Sequence, residues 1–144
     1  AAGASAVAVA VAAGLLKPTQ ALAAWNKAAF EAKSVGDALK GIGVSSPADS
    51  KDIIIKAPDI AENGAVVPVE VSSGIAGITS IAILAEKNGQ PLVGTFGMSG
   101  GAEGFISTRI KMGQTSLVRA VVSAGGKTYT AAKEVKVTIG GCGG

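Results

Sequence analysis

The sequence predicts a mainly β fold: an immunoglobulin-like β-sandwich preceded by one amphipathic N-terminal helix and followed by a flexible C-terminal arm. Three observations carry this. From residue 52 onward, short runs alternate apolar and polar side chains, as in Val67/Val69/Val71 against Glu70/Ser72, Ile106/Ile110/Met112 against Arg109/Lys111, and Val135/Val137/Ile139 against Lys136/Thr138. The runs recur about every 8 to 12 residues between turn signals, the spacing of a sandwich. Residues 25–42 instead repeat apolar side chains in steps of three and four, which is helical.

Residues 1–23, AAGASAVAVAVAAGLLKPTQALA, contain the uncharged apolar stretch Ala6 to Leu16 and end in the small-x-small pattern Ala21-Leu22-Ala23. That is the form of a signal-peptide core and cleavage site, and the stretch is shorter than the roughly 20 apolar residues of a membrane-spanning helix. The expectation is a signal-peptide remnant over 1–23, a mature protein from about Ala24 and an exported location, against the alternative of a buried helix.

Trp25, Ala28, Ala29, Ala32, Val35, Leu39 and Ile42 form the apolar stripe of the helix, and Gly41 or Gly43 supplies its left-handed C-terminal cap. Phe30 falls on the opposite, polar side. After Ser45-Ser46-Pro47 the expected strands are Asp52–Ala57, Ala65–Ser72, Ile78–Leu84, Leu92–Met98, Gly104–Met112, Ser116–Ser123, Lys127–Lys133 and Glu134–Ile139, with one long strand as the alternative for the last two. Pro58-Asp59, Asn63-Gly64, Ser73-Gly74, Asn88-Gly89, Gly100-Gly101, Gly113-Gln114 and Gly125-Gly126 mark the turns. Residues 24–139 thus form the helix and sandwich, with Ile139 the last side chain anchored in the sheet.

Residues 140–144 are Gly140-Gly141-Cys142-Gly143-Gly144. Glycine lacks a Cβ and reaches backbone conformations closed to other residues, so Gly140, Gly141, Gly143 and Gly144 are read as a flexible arm able to enter narrow clefts. Cys142 is the only cysteine in the chain. Its root at Ile139 leaves it a reach of roughly 10 Å.

Absences narrow the chemistry. The chain has no histidine, the commonest general base and metal ligand. One cysteine without histidine makes no usual zinc site and no Cys-His nucleophile pair. An exposed thiol without a neighbouring cation titrates near the ordinary value of about 8.5, which argues against autonomous catalysis. The expectations are therefore no catalytic residue, no metal, no cofactor, and Cys142 as a covalent attachment site served by other enzymes. With net charge +3, one Trp and one Tyr, the chain lacks the footprint of nucleic-acid binding. Arg109, Lys111, Lys127, Lys133 and Lys136 are read as an ordinary solvated face or a modest basic surface suited to acidic partners or to an anion on Cys142.

The tail Lys136-Val137-Thr138-Ile139-Gly140-Gly141-Cys142-Gly143-Gly144 resembles the C-terminus of SoxY, the sulfur-carrier subunit of the bacterial sulfur-oxidation (Sox) system. Ile60 to Val69, Ser107 to Met112 and the Trp25 to Gly43 helix are also similar to SoxY sequences, so the resemblance spans residues 24–144. It implies a non-enzymatic carrier that pairs with SoxZ in a heterodimer. The thiol matching Cys142 would be joined oxidatively to thiosulfate by the c-type cytochrome SoxAX; the hydrolase SoxB would then release sulfate, and SoxCD would oxidise the remaining sulfane sulfur. It further implies a periplasmic location reached by the twin-arginine route, although the sequence contains no Arg-Arg pair. Neither nucleic acid nor membrane is expected as a partner. Two alternatives stay open: a ubiquitin-like sulfur carrier activated at its terminal Gly143-Gly144 carboxylate, and a structural sandwich whose Cys142 forms a disulfide-linked dimer.

Overall fold

The structure is a computed structural model that describes residues 27–98 and 104–140; the stretch read as a signal remnant lies outside them. The expected single helix is interrupted. Residues 27–31 are helical, the chain breaks at 32–34, and a second helix, α1, runs from Val35 to Gly41. Ser34 causes the restart: its side chain accepts the Asp37 N–H at 3.1 Å, an N-cap that competes with continued helix. The break also overturns the exposed placing of Phe30, which is half-buried against the same cluster as Ala29, Ala38 and Leu39.

The helix ends in a Schellman motif. Val44 N–H reaches the Leu39 carbonyl at 2.8 Å and Gly43 N–H the Lys40 carbonyl at 3.0 Å, with Gly43 at φ 77°. Gly43 is therefore the left-handed residue. Gly41 is needed for a different reason: a Cβ there would lie 2.7 Å from Ala29 Cα, so the two helical pieces meet at that point.

Among the described residues nine strands follow: β1 (Ala48–Asp49), β2 (Ile53–Lys56), β3 (Ile60–Ala61), β4 (Val67–Ser73), β5 (Ile78–Ala85), β6 (Leu92–Gly97), β7 (Gly104–Ile110), β8 (Ser116–Ala124) and β9 (Lys127–Val137). One sheet has the order β1-β9-β8-β5-β6 with β3 also on β9; the other is β2-β4-β7. The two expected C-terminal strands are one, because the ladder with β8 runs unbroken from Lys127 to Val135. The two-residue turn before it, Gly125-Gly126, has φ 56° and 77°, as a tight hairpin of matching twist requires.

The sandwich core packs Val67, Val69 and Val71 of β4 and Ile106 and Ile110 of β7 against Ile81 and Ile83 of β5 and Val118, Ala120 and Val122 of β8. Strands β5 and β8 are buried on their other face as well. Ala82, Leu84 and Val121 meet the helical segment there, giving three layers: helix, large sheet, small sheet. This explains the nearly continuous apolar run Ile81 to Ala85, which an exposed sheet face would have broken with polar residues.

The two short strands, β1 and β3, pair in parallel with β9, at Tyr129–Thr130 and at Lys136–Val137. Neither was expected from the sequence, since two residues carry no period. They cover the free edge of β9, where an unpaired ladder would otherwise face solvent.

Candidate functional site at the end of the last strand

The site is the end of the sandwich where β9 finishes. The β8–β9 ladder stops at Ser116–Val135, so the last residues of the chain need other partners. Strand β3 and the turn after it provide them. Lys136 N–H donates to the Asp59 carbonyl at 2.9 Å and Thr138 N–H to Ala61 at 3.1 Å. The Thr138 hydroxyl donates to the Glu62 carbonyl, and Gly64 N–H donates to the Ile139 carbonyl at 2.7 Å. On the other side, Thr115 Oγ1 accepts Val137 N–H at 2.9 Å.

Asn63 shapes this turn by accepting Ala65 N–H on its side-chain oxygen at 2.9 Å. Gly64 is buried, and its carbonyl accepts Met112 N–H at 2.7 Å. The Ile60–Val69 and Ser107–Met112 stretches are far apart in sequence, yet they pair with each other, and Gly64 links Met112 to Ile139.

The expected anchor is corrected in one respect. Ile139 is held by its carbonyl, while its side chain is 68% exposed. The last core side chain is Val135, with Val137 partly buried beside it. Gly140 then lies directly on Gly113, so closely that a Cβ would collide with the Gly113 carbonyl oxygen.

Gly113 is fixed in turn by Asn88, which sequence reasoning read only as a turn residue. Asn88 is 6% exposed. Its Nδ2 donates to the Lys111 carbonyl at 2.7 Å, and its Oδ1 accepts Gly113 N–H at 3.0 Å. Gln114 Nε2 donates to the Lys87 carbonyl across the same gap. The turn between β5 and β6 thus braces the loop on which Gly140 rests. An Asn-Gly pair in sequence signals a turn and gives no sign of its long-range partner.

The structure separates the five cations read as an ordinary solvated face or a modest basic surface. Lys133 Nζ lies 3.1 Å from Asp59 Oδ1 and donates to the Ala57 carbonyl at 2.7 Å. Lys127 follows the β8–β9 turn at the other end of the molecule. Lys136 is exposed opposite Ile60. Arg109 and Lys111 share a cleft with Asn88 and Gln90, beside Gly113.

Of the five terminal residues, Gly140 is described; Gly141, Cys142, Gly143 and Gly144 lie outside the described residues. Among the described residues, no group of histidine, cysteine or carboxylate side chains is placed to hold a metal, and no helix is long and apolar enough to cross a membrane.

Comparison with known proteins fits this architecture. The profile of the family described as "Sulfur oxidation protein SoxY" matches residues 40–142. The solved structure of the sulfur carrier protein SoxY from Chlorobium limicola f thiosulfatophilum is 44% identical, with TM-score 0.66, over 74% of this chain and 97% of that one. A superoxide reductase (neelaredoxin) from Ignicoccus hospitalis superposes with TM-score 0.53 at 23% identity, over 59% of this chain and 79% of its own, which shows a shared fold alone. No curated protein matches. With both the family profile and a solved SoxY structure covering most of its length, the chain belongs to the SoxY family of sulfur carrier proteins.

Proposed function

We propose that this protein is a non-catalytic carrier that holds a sulfur substrate covalently on Cys142 and presents it to separate oxidising enzymes. The observation that carries the reading is the contrast at the chain end. Residues 136–140 are clamped by β3, the Asn63-Gly64 turn and the Gly113 loop, and the sequence beyond them is glycine around a single thiol. A rigid root followed by a chain without bulky side chains lets a thiol enter another protein's cleft while its own body stays outside.

The loading step joins Cys142 to thiosulfate. The thiol loses its proton, a sulfur–sulfur bond forms between the Cys142 sulfur and the sulfane sulfur, and two electrons leave to the cytochrome SoxAX, giving Cys–S–S–SO3⁻. SoxB then hydrolyses the terminal sulfonate as sulfate, and SoxCD oxidises the sulfane sulfur left behind. The chain has no histidine to act as base in any of these steps, so it contributes the thiol and its placement. A SoxZ-like subunit completes the carrier as a heterodimer in the periplasm.

The test is Cys142→Ser in the reconstituted system. Thiosulfate-dependent turnover should vanish while the melting temperature is unchanged; turnover comparable to wild type would refute the reading. Replacing Gly141 and Gly143 by Val should slow turnover with the thiol still present.

A further inference from the structure

We infer that the cleft between the β5–β6 turn and the end of β7 is a docking site for the anionic group carried on Cys142, occupied while the arm is between enzymes. This rests on the carrier reading above. The cleft has a volume of about 300 Å³ and is lined by Asn88, Gln90, Leu92, Val93, Arg109 and Lys111 among others, with two cations and no carboxylate. Neither cation takes part in an ion pair among the described residues, which pair Lys27 with Glu31, Arg119 with Glu86 and Lys133 with Asp59. The backbone between them and the arm is fixed, since Asn88 holds both the Lys111 carbonyl and the Gly113 N–H.

Position makes the site reachable. Gly140 sits on Gly113, two residues past Lys111. Two further residues, the cysteine side chain and a thiosulfonate extend roughly 14 Å, a chain reach that covers the few residues separating Gly113 from the cleft. A sulfonate presents three acceptor oxygens, and a guanidinium meets two of them at once where an ammonium meets one. Surface cations bind a free anion weakly. A tethered anion differs, because a short flexible link holds it at an effective concentration in the millimolar range, enough to populate a site of millimolar affinity. Docking would shield the labile sulfur–sulfur bond from stray thiols and yield readily to an enzyme that binds the arm more tightly.

The test uses the full chain loaded with tetrathionate. The Cys142 thiolate attacks a central sulfur and releases thiosulfate, leaving Cys–S–S–SO3⁻ with no added oxidant. Release by dithiothreitol is then followed by mass spectrometry. With the docked fraction between about half and nine-tenths, the double variant Arg109→Ala/Lys111→Ala should lose its adduct roughly 2- to 10-fold faster than wild type. Arg109→Lys should fall between the two, and salt should remove the difference. A neutral methyl disulfide on Cys142 should be reduced equally fast in wild type and double variant. Equal release of the anionic adduct from both proteins at low salt, or equal acceleration of the neutral one, would overturn the site. The carrier reading fails separately, through turnover by Cys142→Ser in the reconstituted system.

Discussion

Gly140→Ala probes the root of the arm with a single methyl group. The added Cβ would overlap the Gly113 carbonyl oxygen, and Gly113 cannot retreat freely because Asn88 Oδ1 holds its N–H at 3.0 Å. Forcing a methyl into such a contact costs about 1–3 kcal/mol if nothing moves. The chain has a cheaper escape, which is to lift residues 139–140 off the loop and give up the 2.7 Å bond from Gly64 N–H to the Ile139 carbonyl. That bond is worth about 1 kcal/mol, so the loss is capped near this value. Thr138 and Lys136 keep their bonds to Ala61 and Asp59 in either case. The expected result is a melting temperature lower by about 4 °C. Hydrogen exchange at the Gly64 amide should rise roughly fivefold, with little change at Lys136. Gly36→Ala is the control: it lies in α1 with open space around its Cβ position and should stabilise by about 0.5–1 kcal/mol. Unchanged stability and unchanged Gly64 protection in Gly140→Ala would refute the clamp.

Other substitutions test the elements that support it. Asn88→Ala should cost about 2–3 kcal/mol in chemical denaturation, because it leaves the Gly113 N–H and the Lys111 carbonyl without partners in a buried place. Gly41→Ala should loosen the helical segment from the large sheet, since the new methyl would meet Ala29 at 2.7 Å; proteolysis within residues 27–44 should become faster while the amides of β4 and β7 stay protected.

The β-strands were legible because each alternates over several residues and is bounded by a turn signal, as Val67–Ser73 and Ile106–Ile110 illustrate. The break at Ser34 was hidden because the apolar stripe runs through it in the correct steps, and a serine in a helical pattern does not declare itself a cap. Strands β1 and β3 are too short to show a period; they are strands only because β9 lies beside them. Cys142 stood out from composition alone, being the single cysteine among glycines. The contacts that hold residues 136–140 did not, because Asn63, Asn88 and Gly113 read as turn residues. Their function lies in contacts such as that of Asn88 with Gly113, 25 positions apart, which local spacing does not encode. The Ile60–Val69 and Ser107–Met112 stretches, which support the family resemblance, pair with each other across β4 and β7, and the first also holds residues 138–139.

The central claim is that the substrate rides on the Cys142 sulfur. Trypsin cleaves after Lys136, so the peptide Val137–Gly144 isolates the whole arm. After incubation with thiosulfate and the oxidising enzymes, without reductant, its mass should increase by one thiosulfate, with fragmentation placing the addition on Cys142 and reduction removing it. A sulfur adduct on the terminal Gly144 carboxylate, or a peptide found only as a Cys142 disulfide dimer, would contradict the account.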